Sequence, residues 1–241
     1  MPNDGTLRVT PQPVRRQVED RLRDAIASGR FAPGEHLSDR KLCDLFGVSR
    51  SVIREAVRLM EAEGLVEVVP NRGPFVSYLS PADAMQVYEV RGVLEALAGQ
   101  GFAERASEAE TAELRAVFEE IAASHSSTDR VALLGLKRRF YDVLLRGCRN
   151  AYVARMLDQL LNRNTQLRAT TLADPDRLPR TIEEIRRIVE AIERRDGEGT
   201  WEACREHVRQ AARVALRILN HQAREKAEAG RARAIEAGAA E

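Results

Sequence analysis

The sequence predicts a mostly α-helical protein in two unequal parts: a small N-terminal domain that closes on a β-hairpin, and an all-helical bundle behind it. Three observations carry this. Aromatic residues are only 5% of the 241, while Ala, Leu, Arg and Glu abound, a composition of strong helix formers. The turn chemistry crowds into the first third of the chain, from Pro11, Pro13, Gly29, Pro33 and Gly34 to Gly47, Gly64, Pro70, Gly73 and Pro74. Beyond Tyr78, and as far as Asn220, no hairpin signal or strand alternation recurs.

Val14, Val18, Leu22 and Ile26 recur every fourth residue, one face of an amphipathic helix that ends near Gly29. Arg30-Phe31-Ala32-Pro33-Gly34 is a turn. Ser38 is expected to cap a short helix carrying Leu42, Cys43, Leu45 and Phe46, with Gly47 in the left-handed position after it. Ser49 is expected to cap the next helix, which runs to Glu63. On that helix Val52, Ile53, Ala56, Val57 and Met60 share one arc, at about 100° per residue, while Arg50, Ser51, Arg54, Glu55 and Arg58 share the other. Two short helices joined at Gly47-Val48, the second with cations and hydroxyls facing outward, make a helix-turn-helix. A helix fits the major groove, and an arginine fork suits guanine edges or phosphate oxygens. Ser49 and Ser51 can donate to phosphates at a helix N-terminus that itself favours anions. A β-rich run, Leu65–Val69, and a second, Phe75–Tyr78, flank Pro70-Asn71-Arg72-Gly73, so a hairpin follows. Behind a recognition helix a hairpin is a wing, with Arg72 at its tip. A merely solvated face is the other reading of Arg50, Arg54 and Arg58; the two-helix spacing and the wing favour DNA.

Ser80, Pro81 and Asp83 read as N-cap, first-turn proline and the acid of a capping box, so the next helix starts at once. Helical stretches are expected over 81–106, 108–124, 128–147, 151–171, 180–195 and 201–222, which implies a bundle. The layout is therefore a tail (1–12), a winged helix-turn-helix DNA-binding domain (13–78), a linker (79–82), a helical domain (83–222) and an Ala/Arg/Glu-rich tail (223–241). For that last tail, continuation of the final helix and fraying are both open.

Composition excludes several classes. Lys+Arg number 38 against 37 for Asp+Glu, a net charge of +1, so any nucleic-acid surface must be local. No apolar run reaches the length of a membrane span, and Met1–Thr10 lacks a signal peptide's apolar stretch, so a cytoplasmic protein without membrane contact is expected. Cys43, Cys148 and Cys204 show no Cys-x-x-Cys spacing, so neither a disulfide framework nor a thiolate zinc site is expected. No nucleophile elbow, glycine-rich phosphate loop or His-Glu-x-x-His motif occurs, and no enzyme is expected.

The segments Ile26–Arg40, Leu45–Ala56 and Leu59–Val66 resemble the GntR family of bacterial transcription regulators. The resemblance implies that Arg40, Ser49, Arg50, Ser51 and Arg54 face DNA, and that Asn71, Arg72 and Gly73 enter the minor groove. Tyr88–Glu95, Phe140–Leu144, Glu184, Ile188–Ile192 and Glu206-His207 are similar to the helical FCD effector domain of the FadR-like branch. Many members hold a divalent metal there with one Asp and three His. The matching positions here are Lys137, Tyr141, Ile185 and His207, which is not a metal-binding set, so no metal and no cofactor are expected. The resemblance also implies that Arg91 holds the carboxylate of a small effector. Lys137 and Tyr141, four residues apart, share a helix face and could join it. In that reading Arg91, Lys137, Tyr141, Ile185 and His207 line a site for a small anionic metabolite; in the other, Lys137 belongs to the solvated Lys137-Arg138-Arg139 run and His207 to the core. The function expected is a repressor that binds a palindromic double-stranded operator as a homodimer and responds to that metabolite. The alternative is a DNA-binding protein that has lost effector binding and acts constitutively or architecturally.

Overall fold

The computed structural model describes residues 13–27, 29–124, 129–163, 174 and 177–238. The chain divides into two compact units, one built on the chain up to Ser77 and the other on the chain from Tyr78 onward.

The first unit contains α1 (Val14–Ala27), α2 (Asp39–Phe46), α3 (Arg50–Ala62), β1 (Val66–Val69) and β2 (Gly73–Val76). On α1 the every-fourth-residue face buries Val18, Leu22 and Ile26, whereas Val14, at the helix start, is exposed. The turn after it places Pro33 and Gly34 at its centre, with Gly34 at φ 81° and the Glu35 amide donating to the Ala32 carbonyl at 2.9 Å. That pairing is the chemistry of a type II turn. Ser38 caps α2 by accepting from the Lys41 amide, and Gly47 closes it at φ 65°. Ser49 is at the N-cap of α3 with extended backbone, but its side chain makes no cap bond, a correction to the expected role. Ile53, Ala56, Val57 and Met60 are buried under α3, against Leu22, Leu37, Leu42 and Leu65. Each such large side chain contributes about 1.5–3 kcal/mol by leaving water.

The hairpin is antiparallel, pairing Val66 with Val76 and Val69 with Gly73. Its turn has Pro70 first, then Asn71 at φ 62°, and the Arg72 amide donates to the Val69 carbonyl at 3.0 Å. The segment before α2 joins this sheet, which the sequence did not announce. His36 bridges to Phe75, Leu37 donates to the Pro74 carbonyl, and Val76 donates to the Glu35 carbonyl.

The second unit contains α4 (Pro81–Arg105), α5 (Glu108–Ala123), α6 (Arg130–Gly147), α7 (Ala151–Arg163), α8 (Arg177–Glu193) and α9 (Gly197–Gly238). Ser80 accepts from the Asp83 amide, and its hydroxyl donates to the Asp83 carboxylate at 2.6 Å. Ser107 and Glu110 complete a reciprocal capping box on α5. The core is apolar around Phe102, Phe118, Leu144 and Leu157. α4 is its axis and packs on α6, α7, α8 and α9. Glycine lets α4 and α9 approach: a Cβ on Gly99 would lie 2.6 Å from Cys204 Sγ. Among the described residues no helix is long and apolar enough to cross a membrane.

Three expected boundaries differ. α8 begins at Arg177 rather than 180, because Pro179 falls in its first turn, where the amide has no intrahelical partner to lose. α9 begins at Gly197 rather than 201. Asp196 outweighs the two glycines by accepting from the Gly199 amide through its side chain, while its carbonyl takes the Thr200 amide. α9 also runs on to Gly238, so the tail continues the helix. The expected helical residues 164–171 lie outside the described residues.

Candidate functional site

Two places collect the polar groups singled out by sequence. The first is the outer face of α3 with the hairpin tip. Since Ile53, Ala56, Val57 and Met60 point into the core, the opposite arc must meet solvent, and Arg50, Ser51, Arg54, Glu55 and Arg58 are all exposed. Ser49, Arg40, Asn71 and Arg72 are exposed as well, and Gly73 is half-buried. All eight positions expected to meet DNA belong to this one unit.

Their side chains are not equally poised. Arg54 Nε donates to Asp39 Oδ2 at 3.0 Å, a pair joining α3 to the start of α2. For Arg40 and Arg50 no carboxylate lies within 4.0 Å among the described residues. The Arg72 guanidinium lies 5.3 Å from the centre of the Phe75 ring, which in turn leans against His36 at 4.9 Å. Such stacking is attractive and fixes the direction of an otherwise floppy side chain. Gly73 takes φ 88°, a backbone conformation that favours glycine, and a Cβ there would stand 3.0 Å from His36 Nε2, at the end of an exposed side chain. Asp39, His36 and Phe75 are supporting residues that spacing alone did not reveal.

The second place is the centre of the helical unit, where two chains of buried polar groups meet. In one, Arg91 is ion-paired with Glu95 one turn along α4, and both are about 3% exposed. Arg91 also donates to the Tyr141 hydroxyl at 3.1 Å, which donates to the other Glu95 oxygen at 2.8 Å. Burial works against the Arg91 charge, but Glu95, Tyr141 and Tyr88 outweigh it and hold this guanidinium above its ordinary pKa. In the other chain, Arg177 grips Glu184 through two bonds of 2.7 Å, and His207 Nδ1 meets Glu184 Oε2 at 2.7 Å. Burial raises Glu184, yet His207 and Arg177 overcome this and keep its pKa below the usual carboxylate value. An ionised carboxylate only accepts, so His207 must carry its proton on Nδ1. Burial pushes the His207 pKa down, and Arg91 adds to this; Glu184 and Glu95 oppose it without reversing it.

Of the positions expected to line an effector site, Arg91 and Tyr141 are thus bonded directly, and His207 lies within the field of Arg91 and Glu95. Ile185 is buried in the same apolar cluster as Tyr141, and Lys137, one turn before Tyr141 on α6, is half-buried. Glu95, Glu184 and Arg177 were missed as members. These residues do not suit a divalent ion: Ile185 offers no donor atom, Lys137 is cationic, and Tyr141 and His207 are bonded to Glu95 and Glu184. No group of three or more His, Cys, Asp or Glu able to hold a metal occurs among the described residues.

The depressed His207 pKa has a measurable consequence. The unfolded chain takes up a proton at His207 as pH falls through its ordinary value of 6.5, whereas the folded chain resists until lower pH. Stability should therefore fall from pH 7 downward until the folded-state pKa is passed. In denaturant titrations between pH 7.5 and 5, wild type should lose more stability than His207→Gln. Parallel curves would show that His207 is not buried neutral.

Comparison with known proteins bears on both places. Residues 14–76 match the family described as bacterial regulatory proteins, gntR family, and residues 86–210 match the FCD domain. The HTH-type transcriptional regulator YdhC of Bacillus subtilis (strain 168) is 30% identical over 199 residues, covering 82% of this chain and 87% of that protein. The galactonate operon transcriptional repressor of Escherichia coli (strain K12) is 26% identical over 200 residues, covering 74% and 86%. The fold is shared with E. coli McbR/YncC, at a TM-score of 0.74 and 21% identity, covering 88% of this chain and 99% of that one.

Proposed function

The chain belongs to the gntR family of bacterial regulatory proteins, in the FadR-like branch that carries an FCD domain, and from that premise we propose that it represses transcription as a homodimer on a palindromic operator, released by a small metabolite. Members of this family regulate transcription and are not enzymes. The observation that carries the reading is the outward face of α3, where Arg50, Ser51 and Arg54 are exposed directly behind the buried Ile53, Ala56 and Val57. In this reading Arg50 and Arg54 reach base edges or phosphates in the major groove. Ser49, Ser51 and Arg40 contact phosphates, and the tip at Asn71, Arg72 and Gly73 enters the adjacent minor groove. The work is that of a cytoplasmic protein.

One winged unit contacts a single half-site, so two copies double the contacts. A face for the second copy is at hand. Val90 is 52% exposed on α4, and Tyr152 and Met156 are 71% and 54% exposed on α7, which packs against it. Sedimentation with a palindromic duplex selected from a random pool tests this. Two chains per duplex are expected for wild type, and one weakly held chain for Val90→Asp/Tyr152→Asp. Two chains with unchanged affinity in that variant would overturn this dimer face.

The effector is placed at the centre of the helical unit, among Arg91, Lys137, Tyr141, Ile185 and His207. Arg91 and Lys137 are the cationic side chains of this set, which supports an anionic effector. One observation favours the constitutive alternative: Arg91, Tyr141 and His207 are each already bonded within the protein.

A further inference from the structure

A groove of about 240 Å³ runs between α4 and α9, apart from the buried polar centre. The helices are antiparallel, because Gly99 lies against Cys204 while Gly92 lies against Val208. The groove therefore has unlike ends. Toward one, Gly92 and Val93 face Arg205 and Arg209; toward the other, Met85 and Tyr88 face Ala212 and Leu216. Tyr88 and Val208 are buried, whereas Met85 and Val93 are half exposed, so an apolar slot opens to water. Gly92 keeps it open: a Cβ there would meet Val208 only at 3.7 Å, and a longer side chain would fill the slot.

The charges select what could occupy it. Arg209 is paired with Glu206, but Arg205 is exposed and has no carboxylate within 4.0 Å among the described residues. Glu89, exposed on the α4 wall, is the opposing charge. An apolar body fits the slot, one negative charge meets Arg205, and a second negative charge along the slot would meet Glu89. We propose that this groove is a binding site for a small amphipathic monocarboxylate, with its carboxylate at Arg205 and its apolar part against Tyr88, Val208 and Leu216. The volume is below the roughly 300–1,000 Å³ of drug-sized sites, which suits a ligand of about a dozen non-hydrogen atoms. Tyr88 links the groove to the interior, since the Arg91 guanidinium lies 5.6 Å from its ring centre. The site does not depend on the effector reading of the polar centre.

Calorimetric titration of the full chain with 4-phenylbutyrate and its neutral amide tests the proposal. Wild type should bind the acid at least tenfold more tightly than the amide. Arg205→Gln should remove that preference, and Gly92→Leu should abolish binding of both, with circular dichroism unchanged. Arg213→Gln, exposed on α9 but outside the groove lining, should leave the affinity as it is. Absence of binding at millimolar acid would overturn the proposal. So would wild-type affinity in Arg205→Gln, or loss of binding in Lys137→Gln alone, which would place the acid in the polar centre. Should Gly92→Leu instead alter only the sedimentation of the protein, a second copy covers the groove and the ligand site is refuted.

Discussion

Glu95→Ala should lower unfolding stability by about 3–5 kcal/mol, because it leaves a buried cation without its counter-charge. The carboxylate is 2% exposed and holds both Arg91 and the Tyr141 hydroxyl. Without it the buried guanidinium keeps its charge beside the Tyr141 hydroxyl and the Tyr88 ring, neither of which carries a compensating charge. Removing the cation as well should reverse much of the loss. Arg91→Met/Glu95→Leu replaces the pair by apolar groups of similar size, and such exchanges in cores are often neutral or stabilising. The double variant should therefore be clearly more stable than Glu95→Ala in denaturant titrations. A loss below about 1 kcal/mol in the single variant, within the range of an exposed pair, would contradict a buried ion pair at this place.

Arg50→Ala and Arg54→Ala should each weaken operator binding by about 1–3 kcal/mol, roughly five- to 150-fold, and relax base preference at one position of each half-site. The two should differ. Arg54 has Asp39 as a neighbour at 3.0 Å, so what DNA gains from it is net of that contact, while Arg50 has no such partner among the described residues. Arg50→Ala is expected to be the larger loss. Folding should be barely affected, because Arg54 is 66% exposed and such a pair adds at most about 1 kcal/mol. Arg72→Ala should instead weaken discrimination at the bases under the hairpin. Anisotropy titrations against a panel of operator variants separate these signatures; wild-type affinity in both helix variants would remove α3 from the interface.

The winged unit was readable because its punctuation is local. Gly34, Gly47, Asn71 and Gly73 all take positive φ, and each is a residue that tolerates it. What the local pattern could not show is pairing at a distance: the sheet contact of His36 with Phe75, and Asp39 against Arg54. The bundle was readable as helices but not as a polar centre. Arg91 and Glu95 stand four apart on one helix, a spacing that usually marks a solvated pair, and burial on both sides reverses its meaning. Arg177, Glu184 and His207 come from α8 and α9, and only the packing of those helices brings the histidine to the carboxylate. α9 starts at the first of the two glycines rather than after them because the cap bonds of Asp196 decide its first turn.

The most direct test of the central claim is the salt dependence of operator binding by the wild-type chain. Each phosphate neutralised by a cation releases a counterion, so the slope of log K against log salt is about −0.9 per contact. Two copies, each bringing several cations and hydroxyls to the backbone, should give a steep negative slope on the palindromic duplex and about half that slope on a single half-site. A flat dependence, or equal slopes on the two duplexes, would contradict binding by paired recognition helices.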